Sequence, residues 1–222
     1  MGESSPAPLS SPDTLGTICT LAAGYVLMPD DDEAVEIAAA GVRRAIDRLN
    51  TRKWRWAFSY QDITFVADQR DYDLNEDFKA PRRFVLFDSS SREQFRLDYK
   101  EWTTFADEDL VWVTGSGDPY CYSGGNSNDY GTISLNVAPS SDWVVRYPTG
   151  RLWYFRRVAY PVQSSDPILV PSEVGGFLLA SAEAFCASRY APEKESSARV
   201  RAEMLLKELR VDDLDTQSDW ET

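Results

Sequence analysis

The chain contains no histidine. That removes the commonest general base near neutral pH, and with it the Ser–His and Cys–His couples and most zinc and iron sites. Cysteine is scarce too: Cys19, Cys121 and Cys186 stand far apart, with no CxxC pair. Neither a zinc site nor a disulfide framework is expected, and the three read as small buried apolar residues in a reducing compartment. Basic charge is short as well, with 23 Lys and Arg against 36 Asp and Glu and a net charge of −13. A free-standing nucleic-acid binder is usually basic, because phosphate neutralisation carries its affinity. Most of this surface should repel DNA, although a local basic patch remains compatible with it. No apolar run approaches the roughly 18 residues of a membrane span, so no membrane partner is expected. The opening "MGESSPAPLSSP" has no basic stretch followed by an apolar core, so no signal peptide is expected. Ser5 sits one position early for a myristoylation pattern.

What the chain does have is apolar and aromatic mass: 43% hydrophobic and 13% aromatic residues, including 7 Trp and 11 Tyr. Its 222 residues suffice for one large domain or two small ones. The aromatic load suits β-structure and interfaces. Residues 1–12 are rich in Ser and Pro and read as a mobile N-terminal segment. Asp13 or Thr14 is placed to cap a short helix to about Val26. Asp30, Asp31, Asp32 and Glu33 then open a longer helix to about Arg52, where acidic residues cap free N–H groups and oppose the dipole. Val35, Ala38, Val42, Ala45, Ile46 and Leu49 share one face of it.

From Trp54 the period shortens to two: Trp54, Trp56, Phe58 and Tyr60 alternate, and Ile63 and Phe65 follow. Further strands are expected in "RRFVLFDSS", "QFRLDY", "GDPYCYSG", "TISLNVAP", "WVVRYP" and "RLWYFRRVAYP", with "KEWTTFADED" as a short helix among them. After Pro171 helical spacing returns in "SEVGGFLLASAEAFCASRY", with Ser172 as cap, and again after Pro192 in "EKESSARVRAEMLLKELR". The expected fold class is α+β: a helical bundle from the N- and C-terminal segments, with an inserted antiparallel β-sandwich or barrel module. The helical body takes residues 13–53 and 171–210, the β-module 54–170, and an acidic C-terminal tail 211–222.

The stretch "RKWRWAFSY", Arg52 to Tyr60, interleaves cations with large aromatics. In isolation it resembles a single-stranded nucleic-acid platform, where bases stack on rings and cations track phosphates. The change of period favours another reading, in which Arg52 and Lys53 end a basic helix and the aromatics begin the β-module. On that reading Trp56 and Phe58 should be mostly buried, and Arg55 should face solvent or a neighbouring subunit.

Order and spacing across about residues 14–210 resemble the head-to-tail connector, or adaptor, proteins of short-tailed and related tailed bacteriophages. The pieces that carry the resemblance are "AAGVRRAIDRLNTRKWRWAF", "DQRDYDLNEDFKAPRRFVLFDS", "GDPYCYS", "ISLNVAP" and "SDPILVPSEVGGFLLASAEAFCASR". The resemblance implies a structural virion protein, assembled in the bacterial host cytoplasm and sited at the head-to-tail interface. It further implies a homo-oligomeric ring of about a dozen copies beneath the portal protein, meeting tail or nozzle proteins below. Genomic DNA would pass through that ring without sequence-specific binding. In such families the C-terminal helix or tail typically inserts into the portal. The stretch "SDWVVRYPTGRLWYFRRVAYP" is longer than the resemblance leads one to expect between the last two strands.

Three arginines, Arg44, Arg48 and Arg55, form a basic stripe opposite the apolar helix face. They fit a solvated surface, a subunit contact facing acidic groups of a neighbour, or a phosphate contact. The tail has five acidic residues and no base; Val211, Leu214 and Trp220 are its candidate portal-docking anchors, and a simply unstructured end is the other reading. No catalytic, cofactor-binding or metal-binding residues are assigned. The neighbours Asp107, Glu108 and Asp109 do not make a glycosidase pair, which needs two carboxyls across a cleft. "GSGDPY" lacks the lysine of a phosphate loop. Asp88 with Ser89–Ser91, and Asp129 with Asn126 and Asn128, offer oxygens to a cation or simply make turns. The alternative to a virion adaptor is a β-sandwich module that binds carbohydrate or protein.

Overall fold

The computed structural model describes residues 14–108, 114–126 and 129–215, the side chains of 125–130 and 212–215 excepted. Along the chain run α1 (Leu15–Tyr25), α2 (Asp32–Asn50), a 3₁₀ turn (Arg55–Ala57), β1 (Phe58–Thr64), β2 (Asp71–Asp73), β3 (Phe78–Phe87) and β4 (Glu93–Tyr99). Then come α3 (Trp102–Asp107), β5 (Ser116–Gly117), β6 (Cys121–Asn126), β7 (Asp129–Leu135), β8 (Ala138–Pro139), α4 (Ser141–Arg146) and β9 (Thr149–Arg156). Two long helices finish it, α5 (Ser172–Tyr190) and α6 (Pro192–Asp215). The chain is thus α+β and divides into two compact units: Met1–Trp56 with Val158–Thr222, and Ala57–Arg157.

In the first unit, local chemistry sets the helix starts. Thr14 Oγ1 accepts the amide of Thr17, and Asp31 Oδ1 accepts the amide of Ala34 at 2.8 Å, so the expected caps are in place. The fifth helix differs, because Ser172 is its first turn and Pro171 the preceding residue, with no side-chain cap. Pro192 begins α6, where its missing N–H costs nothing. On α2 the buried residues are Ala34, Ala38, Gly41, Val42, Ala45, Ile46 and Leu49. They pack against α1 and α5. Gly41 is required there: a Cβ would lie 2.8 Å from the Cα of Ala182 on α5. The fifth helix is apolar around most of its circumference and touches α1, α2 and α6, as a central helix must. Cys19 and Cys186 are buried free thiols in this unit, and burial pushes both up to about 11.

The unit closes around the point where the chain leaves and returns. Asn50, the last residue of α2, donates from Nδ2 to the carbonyl of Val158 at 3.0 Å and accepts the Val158 amide on Oδ1 at 2.8 Å. Trp54 Nε1 donates to the carbonyl of Leu49 at 2.7 Å and its ring is buried. Residues 158–170, expected in the β-module, belong to the helical unit for a physical reason: their backbone pairs with the start of α1. Leu15 donates to Asp166 at 3.1 Å and Gly16 to Ser164 at 2.7 Å. Asn50→Ala strands a half-buried donor and acceptor of Val158, so it should destabilise the protein by about 1–2 kcal/mol. A denaturant midpoint unchanged by this substitution would contradict the clamp.

In the second unit, seven strands form one mixed sheet in the order β1-β9-β3-β4-β6-β7-β2. Two features differ from an antiparallel sandwich, one of the two expected forms of this module beside a barrel. One large sheet takes the place of two facing ones, with only a two-stranded parallel pair, β5 and β8, beside it, and β4 pairs with β6 in parallel. The sheet curls: Gln61 on edge strand β1 reaches the end of the other edge strand, donating to the carbonyl of Asp73 and accepting from the amide of Asn75, both at 2.9 Å. The concave face holds a single core of Ile63, Phe65, Tyr72, Phe84, Leu86, Leu97, Tyr122, Ile133, Leu152 and Tyr154, with Trp143 from α4.

Two corrections follow from this sheet. "WVVRYP" is not a strand. Ser140 Oγ accepts the amide of Trp143 and starts α4, and that helix accounts for the extra length before the last strand. The alternation of "RKWRWAFSY" also begins later than expected. A 3₁₀ turn separates Trp54 from the strand, and the inward residue of β1 is Ile63. Phe58 and Tyr60, of even number, therefore lie on the convex face. Trp56 and Phe58 are half-buried, not mostly buried, and Arg55 is half-buried.

Candidate functional site: a basic groove and a two-faced helix

Two surface features of the helical unit stand out. The first is a groove of about 480 Å³ among α2, α5 and α6. Its floor is made of small residues, Gly41, Ala45, Ala184 and Ala202. Its walls carry Arg44 and Arg48, which are one helical turn apart, and Arg199 from α6. Like charges at that spacing repel, so the arrangement needs acidic company. Arg48 finds it within the chain, in a two-pronged pair with Glu203 at 2.8 and 3.0 Å, and it also lies over the Phe177 ring. Arg199 pairs with Glu195 at 2.6 Å. Arg44 lies over the Phe185 ring, 5.7 Å from its centroid. Among the described residues no carboxylate pairs with Arg44.

The hydrogen bond from Arg48, added to its charge, holds the Glu203 carboxyl below the usual glutamate value of 4.5. A depressed folded pKa means stability that is present above about pH 4.5 and lost as pH falls through the folded value. Glu203 is largely exposed, so solvent screening keeps its share below about 1 kcal/mol. The melting temperature of Glu203→Gln should accordingly fall less than that of the parent between pH 5 and pH 3; parallel pH profiles would contradict the pairing.

The second feature is α6 itself. Its buried face carries Ala198, Ala202 and Leu206 against α5. Val200, Met204 and Val211 are 59%, 58% and 46% exposed. With Lys207 and Leu214 they recur at spacings of 4, 3, 4 and 3 residues. At 3.6 residues per turn that series stays within about 80° of arc, opposite the buried face. The helix therefore has two apolar faces, of which the described residues cover one. Val200 and Met204 were not singled out in the sequence; their signal was the 4–3 spacing, hidden because Leu205 and Leu209 repeat beside it.

The candidate residues thus fall in different places. Arg44 and Arg48 share the groove, whereas Arg55 lies in the 3₁₀ turn before β1. Val211 is exposed on α6, and Leu214 is on the helix backbone with its side chain outside the described residues. The helix runs five residues into the expected tail, to Asp215. Trp220 and the N-terminal segment 1–12 lie outside the described residues.

On the second unit's convex face, Phe58 stacks on Trp153 at 5.1 Å, Arg82 lies 4.8 Å over Phe58, and Arg151 lies 4.3 Å over Tyr60. Arg151 is held by both oxygens of Asp62, at 2.6 and 2.9 Å. These rings are engaged by the unit's own arginines, which disfavours a base-stacking platform.

The turn at Asp88 is saturated: its carboxylate accepts from the amides of Ser90 and Arg92 and from Gln94, which holds its pKa below the usual value. Glu108 pairs with Lys100, while Asp109 is outside the described residues. Gly115 takes the positive φ of a tight turn, and Asp118 pairs with Arg146. The loop with Asn128, and the side chains of Asn126 and Asp129, lie outside the described residues. No helix among the described residues is long and apolar enough to cross a membrane.

A family model described as SU10 adaptor protein matches residues 13–221, nearly the whole chain. Among curated proteins none matches.

Proposed function

This chain belongs to the SU10 adaptor protein family, phage structural proteins that are components of the virion, and from that premise we propose that it is a head-to-tail adaptor. On this reading a ring of about twelve copies sits beneath the portal protein, contacts tail or nozzle proteins below, and extends the DNA channel. The helical segments act as a bundle that carries the β-module. Assembly takes place in the host cytoplasm.

The observation that carries this reading is the second apolar face of α6. A helix with an uncovered seam of Val200, Met204 and Val211 is suited to a groove or helix of another protein. Val211, Leu214 and Trp220 remain the portal-docking candidates, with Val200 and Met204 now joined to them. Arg44, Arg48 and Arg55 are the subunit-contact candidates, and Arg44 is the best placed because its charge is unmatched among the described residues. The net charge of −13 suits a channel that must not hold phosphate, so that the genome passes without specific contact.

Electron micrographs of the purified protein mixed with the portal of its phage test the proposal. Rings of several copies on one end of the portal are expected; portals that stay bare at micromolar adaptor would contradict it. A second reading, a module for carbohydrate or protein ligands, draws on exposed Phe95, Tyr99 and Tyr120 in the β-rich unit. It would be favoured by bare portals together with saturable glycan binding.

A further inference from the structure

The groove among α2, α5 and α6 has three guanidinium groups on its walls and a floor of small residues. Two of the three are neutralised within the chain, by Glu203 and Glu195. Arg44 is not, and its guanidinium lies over Phe185 with no carboxylate partner among the described residues. A groove so built fits an acidic segment that also carries an aromatic ring. The carboxylate would complete Arg44, and the ring would share the Arg–Phe stack.

One segment of this chain has that chemistry. Residues 211–222, "VDDLDTQSDWET", hold Asp212, Asp213, Asp215, Asp219 and Glu221, one Trp and no base. The geometry points to the groove as the receptor for this acidic C-terminal segment, supplied by a second copy of the chain. Reach separates the second copy from the first. Ala202 in the groove and Asp215 at the end of α6 are 13 residues apart, about 20 Å at a helical rise of 1.5 Å. Trp220 is five residues beyond Asp215, at most about 17 Å even fully extended. A chain can bring its own Trp220 back to the edge of the groove only by running those five residues fully stretched along α6, and its Asp212, Asp213 and Asp215 lie on the helix. A neighbour's segment has no such limit. The contact is heterologous, tail into groove, and a heterologous contact builds a ring when its rotation closes.

The inference rests on the ring reading above, and divides the labour of the C-terminus: Val200, Met204 and Val211 on the helix serve the portal, and the residues beyond it serve the neighbour, which moves Trp220 from the portal candidates to the subunit contact. The test uses the intact protein at nanomolar concentration and a fluorescein-labelled synthetic peptide of residues 211–222, read by anisotropy. Saturable binding is expected. It should weaken at least tenfold with Arg44→Glu, and by a similar factor for a peptide whose five acids are amides, a comparison that leaves the protein unaltered. It should also weaken on raising salt from about 50 mM to 500 mM.

No saturable binding overturns the inference, as it would if the groove were filled by its own tail or made for another ligand. Binding that ignores both Arg44→Glu and the amide peptide overturns it too. The ring is scored separately in the portal micrographs. Peptide binding with bare portals keeps the groove and removes the ring reading, and rings formed by a protein that binds no peptide do the reverse.

Discussion

Changing Val200, Met204 and Val211 together to glutamate should reduce attachment to the portal by about 100-fold or more, while the protein keeps its fold. Each of these side chains is about half exposed in the isolated chain and opposite the packed face of α6. Burying one such side chain against a partner is worth about 1–2 kcal/mol, and burying a carboxylate there instead carries a further cost. Three together exceed the roughly 2.7 kcal/mol that a 100-fold change requires. Glutamate is a good helix former, and Ala198, Ala202 and Leu206 on the packed face are untouched. The thermal midpoint should thus move little. Pull-down with immobilised portal measures the first effect and circular dichroism the second. Undiminished attachment by a folded triple variant would remove α6 from the portal interface.

Trp143→Ala should destabilise the β-rich unit by about 3–5 kcal/mol, the usual cost of truncating a large buried aromatic. Trp143 is 2% exposed and meets Phe65 edge-on at 4.9 Å, with Tyr147 at 5.4 Å. It is the side chain that α4 inserts into the core of the curled sheet. Removing it leaves a cavity, because the neighbouring rings are themselves held by strand backbone and relax only in part. Chemical denaturation followed by fluorescence of the remaining tryptophans gives the value. A loss under about 1 kcal/mol would show that the site collapses freely.

Trp143 also marks where the sequence misled. "WVVR" is rich in β-formers, so propensity favours a strand, but one hydrogen bond from the Trp143 amide to Ser140 Oγ helps commit the segment to a helix. The long helix α2 was legible throughout, because its acidic start, its cap and its apolar spacing agree. "RKWRWAFSY" was legible as a change of structure but not in its phase. The 3₁₀ turn from Arg55 to Ala57 shifts which residues face the core, and alternation alone does not reveal such a turn.

Of the candidate site, the cations were visible but their grouping was not. Arg44 and Arg48 are legible as cations opposite the apolar face of α2, but the groove they border is completed by Phe185 and Arg199, roughly 140 residues later in sequence and joined to them only by packing. Arg55, read with them as one stripe, belongs to the turn before β1. The uncovered seam of α6 lay in the 4–3 spacing from Val200 to Leu214. It needed the structure to show which of two apolar faces is packed.

The central claim, that this adaptor assembles as multiple copies on the portal through its helical unit, is tested most directly by mass photometry of portal titrated with the purified protein. The account predicts a stepwise gain in mass that saturates at several copies per portal, and no gain with the Val200, Met204 and Val211 glutamate variant at the same concentrations. A portal mass unchanged by the unaltered protein, or an equal gain with the variant, would contradict it.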